Sequence, residues 1–358
     1  MSSSLFEELR QRLPNITYHH IAAKTRRSQA LQSKIQRRVL RKPARVFQFS
    51  EKNLGTLSRE VTRILKTDDR PAFFKGITPW VGWEPDRPYF IFTDVGFATI
   101  LENQDSKAQF QSPDLERIFR LERRFLERAS AVFFESSWGR ERTMESYQLD
   151  GENLQVSGRS GLFPAQDQDD FEPGSKLPLV TIAKHFRLKG GDLVQDAYLQ
   201  LKQRVPDLTW EIVGGEPDFD WKRLPDVHYH GFLHPEKPDD RRRYEALLRK
   251  AFLLLHPTRE DTNPLVISEA AAFGCPTISV DRFAIPELVD HGVTGFLIKS
   301  PAQVAEMICM IESLIEAPLQ YQTMRKATLN RAQREQTWGQ IAENILTRIQ
   351  GKLGSNDA

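Results

Sequence analysis

HPTREDTNPLVISEAAAFGCPTISV, residues 256–280, runs from a strand into a helix and back into a strand, and the fold turns on it. A strand ends at His256–Pro257, and a short polar loop carrying Asp261 follows. Asn263 is a good N-cap, and Pro264 suits the first helical turn, where its missing N–H is no loss. The helix start then presents N–H groups at Leu265 and Val266, and such an end attracts phosphate or sugar oxygens. Glu269 lies one turn into the helix, and its two carboxylate oxygens can take both hydroxyls of a ribose. Gly274 ends the helix and Pro276 opens the next strand. Taken alone, the same residues also fit an ordinary βαβ unit with surface acids.

Outward from this segment the same rhythm repeats. PLVTIA (178–183), TWEIVGG (209–215), VHYHGF (227–232) and AFLLLHP (251–257) read as strands, with helices over 192–205 and 244–250 and a helical tail over 337–349. In the first half, ITYHHIA (16–22), RVFQFS (45–50), PAFFKG (71–76), PYFIFT (88–93) and SAVFFES (130–136) read as strands. Helices are expected over 57–65, over 115–129 and through Met144 and Tyr147. This alternation predicts an α/β protein with parallel sheets covered on both faces. The polar stretch PAQDQDDFEPGSK (164–176) has a linker's composition. It separates an expected N-terminal domain, 1–165, from a C-terminal domain, 176–335, with a last helix over 336–352. In open sheets of this kind ligands sit beyond the carboxyl ends of the strands.

Composition sets bounds. A chain of 358 residues is long for one core and comfortable for two. No apolar run approaches the length of a membrane span. The start, MSSSLFEELRQRLP, lacks the basic-then-apolar order of a signal peptide. Two cysteines, Cys275 and Cys309, cannot form a disulfide framework and point to a reducing, cytoplasmic setting. A net charge of +2 says little about partners, and none is expected among nucleic acids. Locally, 24–45 carries nine Lys and Arg, no acid, and Leu31, Ile35 and Val39 at helical spacing. It fits an anionic membrane surface or a solvated helix face equally.

A second segment, TIAKHFRLKGGDLVQDAYLQL (181–201), places Lys184, Arg187 and Lys189 after a strand, with Gly190–Gly191 opening a helix. Cations beside such a helix start suit a diphosphate, although each alone is more often a solvated loop residue. His228, His230 and His234 lie close together, but no fourth ligand has suitable spacing and no metal is expected. Neither GxGxxG nor GxxxxGK[ST] occurs, which lowers the NAD and ATPase readings.

KGG (189–191), VGG (213–215), HGF (230–232), the 256–280 segment and IPELVDHGVTGFLI (285–298) together resemble the retaining glycosyltransferases of family 4, the group 1 glycosyltransferases. They stand in the family's order and at about its spacing. The resemblance implies the GT-B fold, two Rossmann-like domains whose parallel sheets face across a cleft. It implies transfer, with retention, from a UDP- or GDP-linked sugar to a glycan or lipid-linked acceptor of a polysaccharide pathway, in the cytoplasm or peripherally on the inner membrane face. No permanently bound cofactor is implied.

Carried over residue by residue, the family's two acids are Asp261, an Asp in place of the usual Glu, and Glu269, with Glu260 out of register. Glu269 is expected on the donor ribose and Asp261 on the transferred sugar. Lys189, beside Gly190, is expected on the diphosphate, and Lys184 stands near the usual Arg. Asn263–Pro264 replaces a frequent Phe-Gly ahead of Leu265 and Val266. Gly231, Phe232 and Leu233 are expected around the base. Asp94, beyond a first-half strand, stands near a family His and is the acceptor-side candidate. The chain departs from the family at its start, where a polar stretch and a helix (5–13) replace the usual strand and Gly-rich loop. A non-catalytic sugar-nucleotide or glycan-binding protein and a nucleotide-sugar epimerase are the rival functions of such a fold.

Overall fold

The computed structural model describes residues 2–22, 31, 33, 35, 36, 39, 40, 42–104, 106–171, 174, 176–300, 304–335 and 337–354. Most of the basic 24–45 stretch, and with it the choice between membrane and solvent, lies outside the described residues. The chain divides into two compact units: Ser2–Gly158 with Ile341–Ala358, and Arg159–Gln340.

The first unit opens with α1 (Ser2–Arg12) and α2 (Glu51–Leu65), the latter capped by Ser50 Oγ, which accepts from Asn53 N at 3.4 Å. Then come β1 (Ala72–Lys75), β2 (Tyr89–Thr93), α3 (Phe97–Asn103), α4 (Ser112–Glu127), β3 (Ala131–Phe134), α5 (Ser137–Tyr147) and β4 (Leu154–Val156). The four strands form a parallel sheet in sequential order β1-β2-β3-β4. Every residue of β2 and β3 is buried, as expected for parallel strands covered on both faces.

Two expected strands are absent. Residues 16–22 are irregular, and Tyr18 in their midst is half exposed. Residues 45–50 hold a short 3-10 turn, Phe47–Phe49, instead. Their backbone groups go to side chains: Val46 N donates to Asp114 Oδ2 (2.9 Å), and Phe47 O accepts from Asn53 Nδ2 (2.7 Å). Apolar content alone looked like a strand there, but no ladder partner remains for it. Among the described residues no strand precedes β1.

The second unit contains β5 (Leu177–Ala183), α6 (Gly191–Lys202), β6 (Leu208–Gly214), β7 (Val227–Tyr229), α7 (Pro238–Lys250), β8 (Leu253–His256), α8 (Leu265–Ala271), β9 (Thr277–Val280), β10 (Gly295–Ile298), α9 (Val304–Glu316) and α10 (Pro318–Glu335). The last helix, α11 (Trp338–Gly354), gives its residues from Ile341 onward to the first unit. The six strands are parallel in the order β10-β9-β8-β5-β6-β7. The chain winds outward from β5 through β6 to β7, then returns to place β8 on the other side of β5. That reversal leaves a crevice beyond the carboxyl ends of β5 and β8, where doubly wound sheets bind ligands.

Residues 164–171, which have a linker's composition, are in fact packed onto this unit. Asp169 makes a bidentate pair with the buried Arg325 of α10 (2.8 and 2.7 Å), and Gln166 N donates to Ala272 O at 2.9 Å. Polarity there serves long-range pairing, which composition cannot distinguish from solvation.

Candidate functional site

The loops after β5 and β8 meet at the switch point. Gly190 stands at the N-cap of α6 with φ +80°, a left-handed conformation that glycine takes without strain. A Cβ at Gly190 would overlap the Pro257 carbonyl, so only a bare backbone lets the two loops touch. Arg259 staples them further: its N donates to Leu188 O (3.0 Å), and its guanidinium makes a bidentate pair with Asp192 (2.7 and 2.9 Å). The closure places Lys189 Nζ 2.7 Å from Asp261 Oδ2 and 2.7 Å from Glu260 O. Two residues 72 positions apart in the sequence thus share one salt bridge, each about one-fifth exposed. Lys189, expected to await a diphosphate, is engaged by the acid expected to face the sugar.

Asp261 has a further partner that its neighbourhood in sequence does not advertise. His256, at the buried end of β8, brings Nε2 to 3.1 Å from Asp261 Oδ2. Burial by itself pushes the Asp261 carboxyl up. The hydrogen bond from His256 and the ammonium of Lys189 outweigh it and hold the group below its ordinary range.

The start of α8 differs from expectation. Pro264, not Asn263, is the N-cap, and the cap has no side-chain hydrogen bond. The Asn263 carboxamide oxygen instead accepts from the buried Arg159, whose other nitrogen donates to Ala284 O at 2.9 Å. A guanidinium outcompetes a backbone amide for that oxygen because the donor is charged. Leu265 and Val266 form the first turn, partly exposed, and Ile267 N donates to Pro264 O at 3.2 Å.

Glu269 follows, 8% exposed. Burial raises its carboxyl above the ordinary value, against the Tyr244 hydroxyl, which donates to Oε2 at 2.6 Å, and the Leu162 amide. Two donors leave lone pairs for a further partner. Gly161 passes so close that a Cβ there would lie 2.8 Å from Glu269 N.

Lys184 is exposed just beyond β5. Gly231, with φ +68°, follows the edge strand β7; Phe232 is 53% exposed, while Leu233 packs on the core. Asp94 belongs to the first unit, beyond β2, and its Oδ1 accepts from Val95 N at 2.8 Å. Beside it, the fully buried Glu122 accepts from Phe97 N at 3.1 Å and from the hydroxyls of Thr78 and Tyr147. Of the three histidines noted above, His230 binds Glu211 (2.6 Å) and His234 lies near Glu236 (3.3 Å). Among the described residues no group of three or more His, Cys, Asp or Glu could hold a metal ion. Arg159 and Tyr244 were not foreseen, since their partners Asn263 and Glu269 lie 104 and 25 positions away; His256, only five positions before Asp261, was read merely as the end of a strand.

Residues 178–316 match the family model of the glycosyl transferases group 1. That stretch, within the second unit, is thus similar to the group 1 glycosyltransferases. Among relatives of this group, the human alpha-1,3/1,6-mannosyltransferase ALG2 is 29% identical over 192 residues, 48% of this chain and 44% of its own length. D-inositol 3-phosphate glycosyltransferase 1 of Catenulispora acidiphila is 29% identical over 195 residues, 47% of this chain and 46% of its own. The chain thus spans less than half the length of either. The fold is GT-B. Sucrose-phosphate synthase from Thermosynechococcus elongatus superposes with a TM-score of 0.68 at 18% identity, over 87% of this chain and 80% of that one. Anabaena HepE, solved in complex with UDP-glucose, gives 0.64 at 18% identity, over 93% and 98%. The matched residues include the Lys189–Asp261 cluster and Glu269 alike. No helix among the described residues is long and apolar enough to cross a membrane.

Proposed function

We propose that this protein transfers a sugar, with retention, from a nucleotide-sugar donor bound by its second unit to a glycan or lipid-linked acceptor. The observation that carries it is the meeting of Lys189 and Asp261 at the switch point of the β5–β8 crevice, with Glu269 in the helix beyond. Breaking a bond to a nucleoside diphosphate develops negative charge on phosphate and positive charge on the sugar. Lys189, with Lys184 beyond β5 and the N–H groups of Leu265 and Val266, suits the first, and the bare Gly190 leaves room for close approach; losing one such group typically costs about 3 kcal/mol of barrier. Asp261 suits the second. Glu269 offers its remaining lone pairs to the ribose, and Gly231, Phe232 and Leu233 suit the base. Asn263, held by Arg159, and Pro264 bear on which sugar is taken. Asp94 is assigned to the acceptor side, and no side chain is assigned as nucleophile.

Uridine and guanosine donors are the first to try, since HepE carries UDP-glucose and ALG2 is named for mannosyl transfer. A cytoplasmic enzyme resting on an anionic membrane face through 24–45 completes the proposal. Thermal unfolding with UDP and GDP tests the donor site, since a ligand that binds only the native state raises its stability. At least one should raise the midpoint of the wild-type protein. The absence of any rise with either nucleotide, together with no turnover of their sugar conjugates, would overturn the assignment.

A further inference from the structure

The carboxylate of Asp261 is held by one oxygen. Lys189 Nζ at 2.7 Å and His256 Nε2 at 3.1 Å both reach Oδ2, and Oδ1 accepts from no group among the described residues. The two donors differ in kind. Lys189 is a point charge on a flexible four-carbon stem. His256 is rigidly placed: its side chain is 1% exposed, and its Cα lies in register with Ser279 of β9. Its carbonyl accepts from Ser279 Oγ and from Thr258 N, both at 2.7 Å. Nδ1 is buried with no partner among the described residues. A carboxylate only accepts, so the imidazole proton that faces it sits on Nε2, and a bare Nδ1 avoids a stranded N–H.

On the proposed function, Lys189 has a second call on it, the donor diphosphate. Once it turns there, His256 is the one protein donor left on Oδ2. We propose that His256 is a positioning residue, whose Nε2–H holds Oδ2 of Asp261 so that Oδ1 stays turned toward the transferred sugar while Lys189 engages the diphosphate. This rests on the donor-site assignment above.

The test uses the full chain with His256→Phe, His256→Gln and His256→Asn. Gln can set its amide nitrogen near the place of imidazole Nε2, whereas Asn falls a bond short. With UDP-glucose and GDP-mannose as probes, His256→Phe and His256→Asn should lose about ten- to hundredfold in kcat, the worth of one hydrogen bond to a charge. His256→Gln should recover most of that loss, and UDP or GDP affinity should stay within about threefold in all three. A general loss of structure would lower affinity too and would not sort Gln from Asn. In an Asp261→Asn background, His256→Phe should add almost nothing, since it acts through the missing carboxylate. If Asp261→Asn is impaired and His256→Phe is not, the inference is overturned and the donor site stands. If Asp261→Asn keeps full turnover, the donor-site assignment falls, and the inference with it.

A second readout needs neither turnover nor the Phe variant's folding. Selective 15N labelling of the eight histidines distinguishes the ring tautomers. His256 should show its proton on Nε2, with a signal moved by Asp261→Asn and retained in saturating UDP. A proton on Nδ1 alone, or an Nε2 signal indifferent to Asp261→Asn, overturns the proposal.

Discussion

At the scale of single residues, the two acids of the site sit in opposite electrostatic situations. Asp261 is held below its ordinary 3.8 by His256 and Lys189 despite burial, whereas burial lifts Glu269 above its ordinary 4.5. The linkage signs are therefore opposite. Ionised Asp261 contributes stability that is fully present above 3.8 and is lost as pH falls through its depressed value. Protonated Glu269 contributes stability that is fully present below 4.5 and is lost as pH rises through its raised value. Thermal midpoints measured from about pH 3 to 8 should show Glu269→Gln gaining on the wild type as pH climbs, and Asp261→Asn closing its deficit only toward acid. Function should divide as well. Lys189→Ala should weaken UDP or GDP binding by about tenfold or more in calorimetry, because a charge-assisted contact is lost. Glu269→Gln should mostly weaken the same binding. Asp261→Asn should lower turnover more than affinity, since contacts to the reacting sugar matter most in the transition state. Glu260→Gln is the control, because Glu260 offers Lys189 its backbone carbonyl. An essential Glu260 side chain beside a dispensable Asp261 would move the acid pair one residue along.

At the scale of elements, the site depends on how closely two loops approach. Gly190→Ala forces a side chain into a left-handed backbone and against the Pro257 carbonyl. It should cost about 1–3 kcal/mol and lower nucleotide affinity in parallel, since Lys189 is its neighbour. Gly292→Ala is the matched control. It has a similar positive φ but open space around it, so only the backbone penalty of about 1–2 kcal/mol should appear. Equal effects of the two on affinity would mean that the contact of the β5 and β8 loops does not position Lys189. The same scale accounts for Asn263. A side chain of capping type was drawn off the helix start by Arg159, 104 residues earlier in the chain, and Pro264 begins the helix alone.

For the whole molecule, the untested partner is the membrane. Nine cations without an acid across 24–45 should bind anionic vesicles and let go as salt rises, because screening at physiological ionic strength acts over about 8 Å. Flotation of the full chain with phosphatidylserine vesicles, beside a triple Arg37→Gln, Arg38→Gln, Arg41→Gln variant, reads this directly. Unchanged flotation in the variant removes the membrane from the proposal and leaves the donor site intact.

Periodicity and turn residues were enough to place the β5–α6 and β8–α8–β9 units, because a buried parallel strand is a short apolar run and a glycine at a tight turn has few substitutes. The resemblance to family 4, rather than periodicity, then singled out Lys189 among the loop cations and paired Asp261 with Glu269. Periodicity and turn residues misjudged 16–22 and 45–50, where an apolar run looks the same whether its backbone pairs with a strand or with Asp114 and Asn53. They could not show that Lys189 and Asp261 touch, that His256 shares their oxygen, that Tyr244 reaches Glu269, or that Asp169 in a polar stretch closes on Arg325. Local preference acts within a few residues. Lys189 meets Asp261 only because β8 returns beside β5, while Tyr244 and Asp169 reach partners 25 and 156 positions away through the packing of helices and a loop on the sheet.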